Sequence, residues 1–287
     1  MTSPERYQTW KAAQPASRIA QTTALAIRTF FFIGFLPWFG GVCSYELLYV
    51  RRSSIPAGAR RPQSGGEGTV AASTRQTQRS YSVGEEIANS VSHGVGALLS
   101  IAALVLLIVR AVSHGGGVRL AAALLMGIGL IVEYLFSTLY HAIAPAGAKR
   151  VFRVLDHCGI YLLIAGSYAP FALVALADYD GLRLGIVVWA IALVGIVAEC
   201  LMRERQPKWL SALIYVLLGW AVIFRVGTLW QVLPSPAFWL LVAGGLSYTV
   251  GALFYLPKHV PYLHFVFHLF TLAGSVCITL SALLFVL

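Results

Sequence analysis

The segment His264-Phe-Val-Phe-His268 puts two imidazoles four residues apart in an apolar stretch. On a helix they project from one face, about one turn apart, close enough to hold one metal ion. Ser137-Thr-Leu-Tyr-His141 has the same spacing, so Ser137 and His141 also share a face. A third imidazole from His141 would give three protein ligands and leave a fourth tetrahedral position to water, the pattern of a catalytic zinc site. Neutral nitrogen ligands suit zinc best among the common metals. Phe265, Val266 and Phe267 separate the paired histidines, so the carboxylate of an HExxH motif is missing. A general base must then come from another helix, and Asp156 is the candidate.

An HxxxH pair alone is a weak signal, and an apolar helix can carry one for packing. The metal reading gains its weight from His141 and Asp156 reaching the same depth on separate helices. The remaining polar residues have simpler roles. His93 is a supporting or packing residue, His157 faces the interface beside Asp156, and His114 and His259 are solvated loop residues. Glu133 shares the Ser137/His141 face one turn away, as a proton-handling or supporting group. Glu199, one turn from Arg203, reads as an ion pair at a helix end.

The elements that must position these groups follow from composition. Of 287 residues, 58% are apolar and only 11% charged, with a mean hydropathy of +0.77. Soluble domains average roughly 45–50% apolar and about 25% charged, so an ordinary soluble enzyme, a disordered chain and a disulfide mini-protein are excluded. From residue 85 the chain divides into seven apolar stretches, near 88–110, 118–141, 157–177, 182–202, 208–230, 236–256 and 262–287, each close to the 20 residues a membrane helix needs. Gly, Pro and Asp clusters separate them, as in Asp178-Tyr-Asp-Gly181 and Pro234-Ser-Pro236. The expected fold is all-α: a polytopic bundle of seven transmembrane helices.

The polar groups gather at one end of that bundle. Span 1 opens with Glu86, Asn89, Ser92 and His93, span 2 closes with Ser137 and His141, span 3 opens with Asp156-His157, and span 7 opens with His264 and His268. Ionisable groups inside spans are costly and mark function by default. Positive charge sets the orientation. The loops on that side carry Lys149, Arg150, Arg153, Arg203, Arg205, Lys208 and Lys258, against Arg110, Arg119 and Arg183 on the other. This asymmetry predicts a cytoplasmic start to span 1 and a C-terminus outside. The net charge of +10 is thus spent on orientation and lipid headgroups rather than on nucleic acid. Cys43, Cys158, Cys200 and Cys277 lie too far apart in sequence for a thiolate zinc motif or a disulfide framework.

Residues 1–80 are read as an accessory extension. An apolar segment at about 24–50, interrupted by Arg28 and Pro37, could form an extra span, a signal-like anchor or an interfacial segment. The Ser, Gly, Gln and Arg content of 51–80 predicts a disordered basic linker.

Four motifs now stand in order: Glu86-x-x-Asn89-x-x-Ser92-His93; Ser137-x-x-x-His141; Leu155-Asp156-x-x-Gly159-Ile160 with Gly166-Ser167-Tyr168-x-Pro170; and His264-x-x-x-His268. Together, over 81–287, they resemble the hemolysin III branch of the progestin and adipoQ receptor family, which includes the adiponectin receptors. The resemblance implies a seven-helix domain with its N-terminus in the cytoplasm. It also implies zinc on His141, His264 and His268, with Asp156 and Ser137 holding or orienting water. Glu133 lies outside the pattern. Alkaline ceramidases in the wider superfamily suggest lipid amide hydrolysis, so membrane lipids are the expected partners. Two other readings compete: a receptor-like or structural protein with a structural zinc, and a pore-forming cytolysin, for which no span shows a polar stripe along its whole length.

Overall fold

Ser82 opens the first helix with a reciprocal cap: its Oγ accepts the Glu85 N–H at 3.3 Å, and Glu85 Oε2 accepts the Ser82 N–H at 2.8 Å. The computed structural model describes residues 81–202, 206–257 and 260–287. The extension with its segment at 24–50 and linker at 51–80 lies outside them, as do Arg203, Arg205, Lys258 and His259. Seven helices follow the cap: α1 (Val83–Ser113), α2 (Gly117–Ala142), α3 (Ala146–Ala175), α4 (Gly181–Met202), α5 (Lys208–Val232), α6 (Ser235–Tyr255) and α7 (Leu263–Val286). All are long and apolar enough to cross a membrane, and no strand occurs among the described residues. The chain is an all-α, multi-pass integral membrane protein.

Helices adjacent in sequence pack on one another, and α7 returns to α1. The centre is α3, with 78% of its most apolar stretch buried against 17% in α5. Side chains such as Leu98, Ile101 and Val105 of α1 point outward, an apolar surface suited to lipid. Helix α3 starts at Ala146 rather than near 157. Lys149, Arg150 and Arg153 lower the local hydropathy without interrupting the helix. Lys149 instead reaches back to donate to the Tyr140 carbonyl at 3.0 Å.

Close approach of α2 and α3 sets the site geometry and depends on two glycines. A methyl at Gly166 would lie 2.5 Å from the Leu125 carbonyl oxygen, and one at Gly129 2.7 Å from that of Leu162. At the opposite end of the bundle, Arg119 donates to the Val286 carbonyl at 2.9 Å, capping α7, and Arg225 pairs with Asp180 at 3.3 Å.

Helix α5 breaks its α-helical ladder with a 3₁₀ segment, Trp220–Arg225. Tyr168 of α3 fills the break. Its hydroxyl contacts the carbonyls of Leu218 (3.0 Å) and Gly219 (2.7 Å) and accepts the Val222 N–H at 2.9 Å. Tyr168→Phe strands these backbone groups away from water, at a cost of about 1–3 kcal/mol. Thermal unfolding of the detergent-solubilised variant should show a lower Tm with the helical spectrum preserved.

Candidate metal centre

The first turns of α7 meet the last turn of α2 at the end of the bundle where α1 begins. His264 and His268 project from one face of α7, their Nε2 atoms 3.1 Å apart. His141 closes the group, with one ring nitrogen from each of the three imidazoles within 4.8 Å of the others. A tetrahedral ion with Zn–N near 2.0–2.1 Å spaces its nitrogens by roughly 3.3 Å, so the α7 pair already has nearly that spacing. His141 Nε2 is buried without a hydrogen-bond partner. A cation would satisfy this orphaned acceptor, and the three residues fit a metal ion.

Helix α1 fixes the outward nitrogens. Glu86 Oε2 lies 2.6 Å from His141 Nδ1, and Lys149 Nζ lies 2.8 Å from Glu86 Oε1. His268 Nδ1 lies 3.2 Å from the Asn89 carbonyl and 3.1 Å from Ser92 Oγ. Ser92 gives its own proton to the Asn89 carbonyl at 2.8 Å. A carbonyl only accepts, so His268 carries its proton on Nδ1 and presents a lone pair at Nε2; the carboxylate assigns His141 the same tautomer. Hydrogen-bonded partners of this kind orient metal-binding imidazoles and raise their basicity. Glu86→Gln is therefore expected to weaken the affinity of the three imidazoles for a metal ion about 10–100-fold, measured by competition with a chelating dye, while the protein stays folded.

Rings enclose the group. His93 stacks on His268, centroids 3.5 Å apart and planes within 16°; Tyr81 stacks on His264 at 5.2 Å and 24°. Burial, with Tyr140 and Glu86 nearby, pushes the Tyr81 phenol well above its ordinary range, so it stays neutral. Beside the imidazoles is a cavity of about 20 Å³ whose wall includes Ser137, Asp156, His264 and His268, room for one water molecule.

The sequence reading located these residues but missed several of their neighbours. His157 is not interfacial: it is buried, with Nδ1 3.3 Å from Glu199 Oε2. Glu199 is buried as well and accepts from Ser211 and Tyr215, a polar link between α3, α4 and α5. Below His268, α7 continues in the hydroxyls of Thr271 and Ser275. Thr271 donates to the Phe267 carbonyl at 3.0 Å, and Ser275 accepts the Tyr134 O–H at 2.6 Å. This row is bonded within the protein. The signal for α1 was available, since Glu86, Asn89 and His93 recur at helical spacing on one face. The stacking of Tyr81 left no trace in any spacing.

Residues 81–279, which carry all of these groups, match the profile of the family described as "Haemolysin-III related". The chain belongs to this family. It is 40% identical over 213 residues to Hemolysin-3 of Bacillus cereus, covering 74% of this chain and 97% of that protein. It is 40% identical over 195 residues to the Hemolysin-3 homolog of Bacillus subtilis (strain 168), covering 68% and 91%. A more distant likeness, 25% over 161 residues, links it to the human monocyte to macrophage differentiation factor, covering 53% and 65%. That relative fits the adipoQ-receptor-like superfamily. Within the haemolysin III chain, the α1, α2 and α7 motifs thus converge on one group of imidazoles that could hold a metal ion.

Proposed function

We propose that this haemolysin III protein is a zinc-dependent hydrolase acting on an amide or ester of a membrane lipid. The observation that carries the reading is three imidazoles turned toward one point beside a cavity walled by Ser137 and Asp156. That cavity shares Glu133, Ile160, Tyr255 and Phe267 with an apolar cavity of about 160 Å³ between α3, α5, α6 and α7. An acyl chain fits the apolar part, which would place its carbonyl at the polar end.

Zinc held by His141, His264 and His268 would supply a Lewis acid for the carbonyl and a water acidified toward pH 7. Asp156 would take the proton that the water loses on attack and pass it to the nitrogen or oxygen that leaves as the C–N or C–O bond breaks. Ser137 donates a hydrogen bond to the water or to the carbonyl oxygen as charge develops there. The apolar walls exclude bulk water and hold the chain. The excess of Lys and Arg at this end supports a cytoplasmic location for the site.

The test is release of fatty acid from a panel of lipid amides and esters by the purified full chain, followed by mass spectrometry. Turnover should stop on chelation and return with zinc. A fully zinc-loaded protein that cleaves nothing in the panel would overturn the reading. The structural-zinc alternative draws support from the way α1, α2 and α7 meet at the three imidazoles. The cytolytic alternative draws support from the names of the Bacillus relatives and predicts dye leakage from liposomes.

A further inference from the structure

Glu133 is a carboxyl group in an unusual place. It sits on α2 one turn from Ser137, is 2% exposed, and its Oε2 has no hydrogen-bond partner. It belongs to the wall of both cavities, at the point where the polar pocket gives way to the apolar one. The neighbouring wall, with Ile160, Leu163 and Ile164, is apolar. The facing helix makes room for the acid: a β-carbon on Gly159 would collide with Glu133 Oε2. The acid is thus held between α2 and α3, where an apolar side chain would be the ordinary choice. A buried carboxyl oxygen without a partner costs stability, and the place of Glu133 in the wall of both cavities brings their occupant within reach of the carboxyl group.

A carboxyl group accepts hydrogen bonds whether or not it carries a proton. One helical turn, about 5.4 Å, separates Glu133 from Ser137 along α2. A group that reaches Glu133 therefore lies a few bonds along the chain from a carbonyl held at Ser137. We propose that Glu133 is a specificity-determining residue that selects acyl lipids bearing a hydrogen-bond donor, a hydroxyl or an amide N–H, close to the carbonyl. This rests on the lipid reading above and narrows its substrate class. A site that bonds a ligand donor rejects the analogue lacking it, because its own polar group is then left unpaired.

The test needs no turnover. Binding of beta-hydroxymyristic acid and of myristic acid to the purified full chain is measured by displacement of a fluorescent fatty acid, with and without zinc. The wild type should prefer the hydroxy acid at least about tenfold, the value of one enclosed hydrogen bond. Glu133→Gln keeps an acceptor and should keep the preference, whereas Glu133→Leu should abolish it and bind myristic acid at least as well as the wild type does. Equal binding of both acids by the wild type overturns the role of Glu133 and leaves the lipid reading standing, even if the leucine variant fails to fold. An undiminished preference in a folded Glu133→Leu protein overturns it equally. Binding of neither acid overturns the lipid reading and this inference together.

Discussion

Replacing His264 with alanine is expected to abolish stoichiometric zinc binding, with a loss of affinity beyond the roughly 100-fold that removal of a supporting partner produces. His264 and His268 face each other through Nε2 at 3.1 Å. Without the first, the second and His141 are left as two ligands on different helices. Metal analysis of the purified variant beside the wild type reads the effect directly. Thermal unfolding adds an independent measure, since a ligand present at 1,000 times its Kd stabilises the folded state by about 4 kcal/mol. Chelation should lower the Tm of the wild type and leave that of His264→Ala unchanged. Equal zinc in both proteins would remove His264 from the site.

Under the proposed hydrolase function, Asp156→Asn should separate catalysis from metal binding. The asparagine keeps the shape of the side chain but cannot take up a proton, and Asp156 is not one of the three grouped imidazoles. Hydrolysis should fall by about a hundred- to ten-thousandfold, with zinc content and Tm close to wild type. If zinc serves only to fasten helices, the same variant leaves every biological readout intact. Unchanged turnover in Asp156→Asn would mean that another group accepts the proton.

Seven spans and the gathering of polar groups at one end could be read from hydropathy and from the helical spacing of Ser137 with His141 and of His264 with His268. Those signals are local, and each depends on residues within a few turns of one another. Contacts set by the rotation of one helix against another were hidden. Cys158 and Cys200, 42 residues apart, bring their sulfurs to 3.8 Å, a proximity that sequence separation disguised. For Glu199 the spacing offered only Arg203, which lies outside the described residues; burial of α4 against α3 and α5 also brings it to His157 and Ser211, partners 42 and 12 residues away. The polar first turns of α3 failed a hydropathy criterion although their helix is continuous. Tyr168 stood in a quoted motif, but its purpose depends on a break in α5 some fifty residues away.

The bond between Ser92 and His268 spans 176 residues. A ribosome delivers α1 before α7, so no three-imidazole group can exist until residue 268 has been added. A product truncated before residue 263 would retain six of the seven helices but lack two of the three histidines. The centre therefore waits on α7, and its presence marks a polypeptide extended past His268.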